Sequence, residues 1–215
     1  MISTGLLLLV LAYLLGSIPT AVWVSRRFYG FDIREAGSGN AGATNTFRVL
    51  GKKAGIPVLL VDALKGWVAV MLPVWVFIEP SSPVLFENFR VLCGAAAVTG
   101  HILPIFAGFR GGKGVATLLG VSIGMHPLAA LCCIGLFLLV LLLTHYVSLG
   151  SILSSLFYAL FILVIQHASH DATIIFAISI PLLVILTHTK NIRRLISGNE
   201  SRTYLLRNQN LRSRR

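Results

Sequence analysis

The sequence predicts an all-α integral membrane protein with about seven transmembrane helices. Of its 215 residues, 56% are hydrophobic and only 12% are charged, which is about half the charged share of a soluble domain. The mean hydropathy is +0.85, and the apolar residues fall in runs close to the roughly 20 residues that a spanning helix needs. At that length per span, residues 1–215 form a single membrane domain with no separate soluble domain.

The first apolar run, Met1–Val24, is interpreted as a retained membrane helix rather than a secretory signal. No basic residue precedes it, and Arg26 and Arg27 follow it. That order favours an outside N-terminus and a cytoplasmic end of this helix. The sequence Gly16-Ser17-Ile18-Pro19 is expected to kink the span.

Further apolar runs predict helices at about 54–78, 84–106, 114–125, 127–146, 150–168 and 171–189. With seven spans, all of the 18 Lys and Arg residues except Lys65 and Arg90 fall on one side, in the loops and in a basic tail at 190–215. Six spans would divide them between the two faces, so the positive-inside rule favours seven, with the C-terminus in the cytoplasm. The same rule accounts for the net charge of +11 without a nucleic-acid partner.

A polar, glycine-rich segment at Ile33–Arg48 separates the first two spans. Its glycines permit tight turns that direct successive N–H groups to one point, and Arg34 and Arg48 bracket it with positive charge. We therefore expect an anion site, most simply for a phosphate; the alternative is a flexible connector. Its candidate contacts are Gly37, Ser38, Gly39, Asn40, Gly42, Thr44, Asn45 and Arg48.

Two further polar clusters share the predicted cytoplasmic face. In Gly100–Thr117, a glycine-lysine stretch opens a helix, so that an ammonium group meets free N–H groups and the positive end of the helix dipole. In 188–195, His188 and Asn191 lie three residues apart, on one face of a helical continuation. Loops that only carry topogenic charge are the alternative. The candidates are His101, Gly111, Gly112, Lys113, Gly114, His188, Asn191 and Arg193.

Several polar residues elsewhere have structural interpretations. Asp62 and Lys65 lie inside the second span, where their spacing allows an ion pair that supports the site. Ser148 is expected to cap the sixth helix, while Ser151 could offer its hydroxyl to an anion. The cysteines, which lack the spacing of a metal site or a disulfide framework, are expected to be inert core residues.

The motifs that are absent restrict the possible chemistry. The sequence has neither the Asp-rich spacing of a Mg²⁺-dependent phosphotransferase nor a Gly-x-Ser-x-Gly elbow. It also lacks the His-x4-Asp pair of the common membrane acyltransferases. An enzyme of this composition, with no metal and no cofactor, would position two substrates and neutralise charge. That chemistry suits a substrate that carries its own activated leaving group.

Three segments, Gly37–Asn45, Gly100–Thr117 and His188–Glu200, resemble the cytoplasmic signature motifs of the bacterial acyl-phosphate:glycerol-3-phosphate acyltransferases, the PlsY family. The likeness extends to Gly16–Pro19 and to Asp62-x-x-Lys65-Gly66, and so covers nearly the whole chain. Two positions differ from the usual pattern: Arg110 stands where lysine is usual, and Thr189 where a basic residue commonly follows the histidine.

The resemblance implies a multi-pass enzyme of the bacterial cytoplasmic membrane that transfers a fatty acyl group from acyl phosphate to the 1-hydroxyl of glycerol 3-phosphate. Its products would be lysophosphatidic acid and phosphate, and it would act as a monomer among membrane lipids. A transporter or channel for a phosphorylated solute is the alternative function. The catalytic residues implied are Ser38, Arg48, Lys113, His188 and Asn191. The substrate contacts implied are the remaining residues of the two glycine-rich loops named above, together with His101, Ser151, Arg193 and Glu200.

Overall fold

The protein is all-helical, and its computed structural model describes residues 2–76 and 82–203. The predicted helix end at 77–78, most of the loop at 79–83 and the basic tail beyond 203 lie outside these ranges. The helices in chain order are α1 Ile2–Gly16, α2 Thr20–Tyr29, α3 Ala43–Leu50, α4 Lys52–Val76, α5 Pro83–Ile102, α6 Val115–Met125, α7 Pro127–Thr144, α8 Val147–Leu160, α9 Asp171–Thr187 and α10 Thr189–Ile196.

Four of the helices are long and apolar enough to cross a membrane, and two bent pairs bring the number of candidate spans to six. The four are α4, α5 with the 3₁₀ turn that follows it, α7, and α8 with a π-helical turn at Phe161–Ile165. The bent pairs are α1 with α2, at 41°, and α9 with α10, at 65°. The chain is therefore a multi-pass integral membrane protein.

The break between α1 and α2 confirms the predicted kink at Gly16–Pro19. Pro19 has no N–H to donate to the preceding turn, so the helical hydrogen bonding is interrupted there. Gly16 also lies directly against α5, because a Cβ at that position would come within 2.0 Å of the Ala97 carbonyl oxygen. The first span is thus two helices, and the second of them ends at Gly30, whose φ of 76° is left-handed.

The connection predicted at 25–53 holds more structure than expected, since it contains the end of α2 and all of α3. The amphipathic helix α3 follows Gly42 and ends at Leu50, before Gly51, where φ is 80°. It packs against α4. Its apolar residues are too few for a span, so the hydropathy pattern alone did not reveal it.

Close helix contacts hold the bundle together at small residues. A Cβ at Gly120 of α6 would lie 1.8 Å from the Ala63 carbonyl oxygen of α4, and one at Gly66 would lie 2.2 Å from the Thr117 carbonyl oxygen. The pairs α4–α6 and α1–α5 form the most extensive contacts. Small residues let helix backbones approach closely in a membrane, where dispersion contacts drive association.

The serine at the start of α8 is not a helix cap, so that prediction was wrong. The helix begins at Val147, and no side chain caps its first turn. The Ser148 hydroxyl instead donates a hydrogen bond to Oε1 of Glu200, at 2.8 Å. A carboxylate from a distant segment competes successfully for this hydroxyl because hydrogen bonds to charged groups are the stronger ones.

Candidate active site

Segments far apart in the sequence meet at one end of the bundle. Nη1 of Arg34 donates to the carbonyl oxygens of Ala107 and Arg110, at 2.8 and 3.1 Å, and so ties the first polar loop to the second. Nζ of Lys113 in the second loop donates to Oδ1 of Asn191 in α10. The three polar clusters of the sequence therefore lie together.

The glycine-rich loop before α3 is shaped by Asn45. Its Oδ1 accepts the N–H of Ser38 at 2.8 Å, and its Nδ2 donates to the carbonyl oxygens of Ile33 and Ala36. Asn45 is only 1% exposed, so its amide is fully used in holding the loop. Gly37 and Gly39 complete the turn, with φ values of 61° and 72°.

The same loop presents other side chains outwards. Ser38 and Thr44 are exposed, and Asn40 is partly exposed. Asp32 anchors the base of the loop through ion pairs with Arg26 and Arg34, at 2.8 and 2.7 Å. The hydrogen bond from Arg34 holds the pKa of Asp32 well below its usual range, so this carboxylate stays charged. The loop is therefore fixed at its base and open at its tip.

The second glycine-rich loop folds back onto the end of α5. Gly111 donates its N–H to the Ile102 carbonyl oxygen and Gly112 to that of His101, both at 3.1 Å. These two N–H groups are therefore engaged, contrary to the expectation that they would be free. The N–H groups in the first turn of α6 lack intrahelical acceptors, and this turn begins directly after Gly114, which is left-handed with φ 83°.

Lys113 is the cation at the centre of the site. Burial lowers its pKa to about 8; nearby Glu200 opposes this shift, while the charges of Arg194 and Arg48 add to it. Contacts connect three of these groups, since Lys113 donates to Asn191 and Glu200 accepts from both Asn191 and Arg194. An ammonium group under these conditions gains more from a bound anion than an exposed lysine would, because its charge is only partly compensated.

Arg48 joins the cluster from α3. It is partly exposed, and burial lowers the pKa of its guanidinium, an effect that Glu200 opposes and Arg194 adds to. A guanidinium group remains charged at all physiological pH values and can bind a phosphate with two parallel hydrogen bonds. Arg48 and Lys113 therefore supply two positive charges from different segments.

Glu200 organises the third segment. Its Oε1 accepts from Nδ2 of Asn191 at 2.6 Å and from the Ser148 hydroxyl at 2.8 Å, and its Oε2 accepts from Nε of Arg194 at 2.7 Å. Burial alone would raise the pKa of Glu200, but these hydrogen bonds hold it below its usual value. The carboxylate fixes Asn191, and Asn191 in turn holds Lys113.

His188 lies at the bend between α9 and α10 and is only 3% exposed. Its Nδ1 lies 2.8 Å from the Val184 carbonyl oxygen. A carbonyl can only accept, so Nδ1 carries the proton, and Nε2 of the neutral ring carries the lone pair. Asn191, which accepts from Lys113, follows three residues later in the chain, so His188 adjoins the cation cluster.

Three of the predicted substrate contacts are either buried or outside this cluster. His101 is 6% exposed and Ser151 is 6% exposed, and the Ser151 hydroxyl donates to the Val147 carbonyl oxygen at 3.0 Å. Arg193 is exposed, and its neighbour Arg194 is the arginine that binds the Glu200 carboxylate.

Two members of the network, Arg194 and Ser148, were not selected from the sequence. Adjacent arginines in a helix point about 100° apart, and the sequence alone does not say whether Arg193 or Arg194 faces inwards. The i, i+3 spacing of Asn191 and Arg194 was an available signal, because it places both side chains on one face.

The arrangement can hold two anions side by side. Three cations, Lys113, Arg48 and Arg194, and the carboxylate of Glu200 belong to this cluster, which therefore has excess positive charge. The His188 ring and the Asn191 amide add neutral hydrogen-bonding groups. Among the residues that the structure describes, no group of three or more His, Cys, Asp or Glu side chains could hold a metal ion.

Comparison with known proteins identifies the family. The family model for glycerol-3-phosphate acyltransferase matches residues 6–198. The glycerol-3-phosphate acyltransferases of Chlorobaculum parvum and Chlorobaculum tepidum are each 41% identical to the chain over 224 aligned residues, which cover 93% of this chain and 96% of each relative.

The fold agrees with two crystal structures of PlsY, an integral membrane glycerol 3-phosphate acyltransferase. The glycerol 3-phosphate form has a TM-score of 0.82 and 40% sequence identity, and the lysophosphatidic acid form has 0.79 and 39%. Both alignments cover 94% of this chain and 97% of the solved chain. The chain therefore belongs to the PlsY family of glycerol-3-phosphate acyltransferases.

Proposed function

We propose that this protein transfers a fatty acyl group from acyl phosphate to the 1-hydroxyl of glycerol 3-phosphate, releasing lysophosphatidic acid and phosphate. The observation that carries this proposal is the junction of Lys113, Asn191 and Glu200, which joins the second and third family motifs at one cationic site. Family membership supports the enzyme over a transporter, and a site at one end of the bundle does so too, because transporter sites lie near the bilayer midplane.

Both substrates are phosphorylated, so the first task of the site is to offset their mutual repulsion. Arg48 and Lys113 carry out this task, since charge-assisted hydrogen bonds to phosphate are strong and directional. Ser38 and Asn191 orient the glycerol backbone. The further contacts proposed are Gly37, Gly39, Asn40, Gly42, Thr44, Gly114 and Glu200. Asn45, Gly111 and Gly112 support the site by holding its two loops, and Ser151 and Arg193 stay predictions from the family resemblance.

The reaction itself needs no nucleophile from the protein. Acyl phosphate is a mixed anhydride, so the glycerol hydroxyl attacks the acyl carbon, a new ester bond forms, and phosphate leaves with the electrons of the broken bond. Positioning and charge stabilisation can supply several kcal/mol of barrier lowering. The hydroxyl proton passes either to a phosphate oxygen or to Nε2 of His188, which the Val184 contact leaves unprotonated in the neutral ring.

We further propose seven crossings of the bacterial cytoplasmic membrane, with the N-terminus outside and the site on the cytoplasmic face. Helix α6 begins at Val115, two residues after Lys113, which contacts Asn191. Helix α7 ends at Thr144, four residues before Ser148, which contacts Glu200. The chain therefore leaves the site end along α6 and returns along α7, which supports counting the 11-residue α6 as a crossing. The acyl chain would lie among the apolar helices, and the enzyme would act as a monomer.

The deciding assay uses purified protein in detergent or lipid discs with acyl phosphate and glycerol 3-phosphate. We expect phosphate release that requires both substrates, together with an equal amount of lysophosphatidic acid. Acyl thioesters serve as control donors and should give no product. Phosphate release without acylated product, or product only from a thioester, would contradict the proposed donor.

Impermeant thiol reagents test the orientation. Single cysteines placed at Ser38 and at Asn199, in a variant whose natural cysteines are replaced, should be labelled only from the cytoplasmic side. Labelling of the two positions from opposite sides would rule out a shared cytoplasmic site.

A further inference from the structure

A buried ion pair lies inside α4, within an otherwise apolar span. Nζ of Lys65 is 2.9 Å from Oδ1 of Asp62, and the two side chains are 3% and 1% exposed. This confirms the predicted pairing. Two groups at the break between α1 and α2 extend the network, because the Thr20 hydroxyl donates to Oδ1 of Asp62 at 3.0 Å and Lys65 donates to the Ile18 carbonyl oxygen at 2.8 Å.

His101, near the end of α5, connects this ion pair to the site. Nδ1 of His101 lies 3.7 Å from Oδ1 of Asp62, so the two groups are in contact but too far apart for a hydrogen bond. The opposite edge of the ring faces the second glycine-rich loop: a Cβ at Gly112 would lie only 2.2 Å from Nε2 of His101. The imidazole ring therefore fills the space between Asp62 and the backbone that carries Lys113.

We infer that Asp62 and His101 are positioning residues that support the Gly111–Lys113 loop from behind. His101 is then not a substrate contact, as the family resemblance implied, but a buried spacer whose two edges touch a fixed carboxylate and the loop. The inference rests on the proposed function only in so far as turnover is used to detect the loop's position.

An ion pair that served only to stabilise the fold would be unfavourable at this position. Charged residues near the centre of a spanning helix are unfavourable on insertion scales, and buried pairs often stabilise a protein less than apolar residues of the same size. Packing of α4 alone would not require the network to reach the second glycine-rich loop. Its last member, His101, nevertheless faces Gly112, the residue before Lys113. A displacement of about 1 Å at a catalytic group can lower a rate roughly 100-fold.

Two conservative variants separate the two edges of the ring. In His101→Gln the amide nitrogen takes the position of Nε2, which faces Gly112, whereas in His101→Asn it takes the position of Nδ1, which faces Asp62. We expect His101→Ala to lower kcat at least tenfold with a smaller change in KM, since an interaction that matters in the transition state affects kcat. His101→Gln should restore most of kcat, and His101→Asn should not.

Cys93→Ala is the matched control, because Cys93 is a fully buried residue on the same helix that packs against α1 and α4. It should lower the thermal unfolding midpoint without lowering kcat. Equal kcat values for the Gln, Asn and Ala variants, or a loss of kcat in Cys93→Ala as large as in His101→Ala, would overturn the inference.

A double-mutant cycle tests the contact itself. Gly112→Ala places a methyl group against the imidazole, and His101→Ala removes that ring. If the two residues touch, the Gly112→Ala substitution should cost at least tenfold less kcat in the His101→Ala background than in the wild-type protein, because contacting residues are not additive. Additive effects, within twofold, would overturn the inference.

The same cycle read in thermal unfolding midpoints does not depend on the reaction. A wild-type protein that fails to turn over acyl phosphate would contradict the proposed function, while the coupling of the unfolding midpoints would still test the contact between His101 and Gly112. Coupled midpoints support the contact, and additive midpoints contradict it.

Discussion

Replacing Lys113 by Met separates the role of its charge in catalysis from its effect on stability. Methionine keeps most of the length of the side chain but removes the ammonium group that meets Asn191. A charge-assisted hydrogen bond contributes roughly 1.5–3 kcal/mol. Two such bonds to the substrate phosphates correspond to about a 10²–10⁴-fold loss of kcat/KM in Lys113→Met.

The same substitution should stabilise the unliganded protein at neutral pH. A fall in the lysine pKa from 10.5 to about 8 corresponds to a cost of roughly 3 kcal/mol for the charged form in the folded state. Loss of the hydrogen bond to Asn191 offsets about 1 kcal/mol, which leaves a gain of about 2 kcal/mol.

The sign of the pH dependence follows from the two pKa values. Below pH 8 both the folded and the unfolded protein carry the charge, so the whole cost applies. It diminishes as the pH rises from 8 to 10.5 and is absent where both forms are neutral. The thermal midpoint of Lys113→Met should therefore exceed that of the wild type at pH 7, and the difference should shrink towards pH 10.

Phosphate release and thermal unfolding, measured on one preparation in detergent, test both parts. In the wild type, kcat/KM should fall as the pH rises past about 8, since it reports the free enzyme. In Lys113→Arg this fall should move to higher pH, because a guanidinium keeps its charge. A Lys113→Met variant that keeps a tenth of the activity, or is less stable than the wild type at pH 7, would refute the reasoning.

Three further predictions concern the framework of the site. Glu200→Gln removes the charge that binds Arg194 and should lower the free energy of unfolding by about 2 kcal/mol, seen as a lower thermal midpoint; an unchanged midpoint would contradict this. Gly120→Ala places a Cβ 1.8 Å from a carbonyl oxygen of α4 and should abolish the monodisperse peak in size-exclusion chromatography. Its control, Gly135→Ala, meets nothing within 4 Å and should stabilise α7 by about 0.5–1 kcal/mol. Arg34→Met releases two carbonyl oxygens of the second loop and should lower kcat/KM roughly fivefold, or about 1 kcal/mol. It also removes one of the two ion pairs of the buried Asp32, so the thermal midpoint should fall as well; wild-type kinetics would argue against the link between the two loops.

Much of the fold follows from local properties of the sequence. Helices α6, α7 and α9 begin and end within two residues of the predicted bounds, and α4 begins within two residues of its predicted start. Helix α5 ends four residues early, at Ile102, and α8 comes within three residues of its predicted end only when the π-helical turn to Ile165 is included. The agreement arises because the length of an apolar run and its flanking Gly, Pro and polar residues act over a few residues. The break at Gly16–Pro19 was predictable for the same reason. The helix α3 could not be predicted in this way, because its short amphipathic pattern lies among loop-forming residues.

The site was predictable as a set of segments but not as a set of contacts. Asn45 carries the amide expected of a substrate contact, yet it holds the loop backbone. Glu200 meets Ser148 across 52 positions of the sequence, and no local pattern connects the two. The choice of Arg194 over Arg193 depends on which face of α10 lies towards Glu200, and that is decided by packing rather than by local sequence.

The sequence by itself determined that the chain is a helical membrane protein and that its glycines, amides and cations lie in three clusters. Hydropathy, glycine freedom and side-chain charge are properties of single residues and their neighbours, so they can be read without a fold. Only the tertiary structure decided which groups face each other: Lys113 with Asn191, and His101 between Asp62 and Gly112. Such pairings depend on how the helices pack, and packing is determined by the whole chain at once.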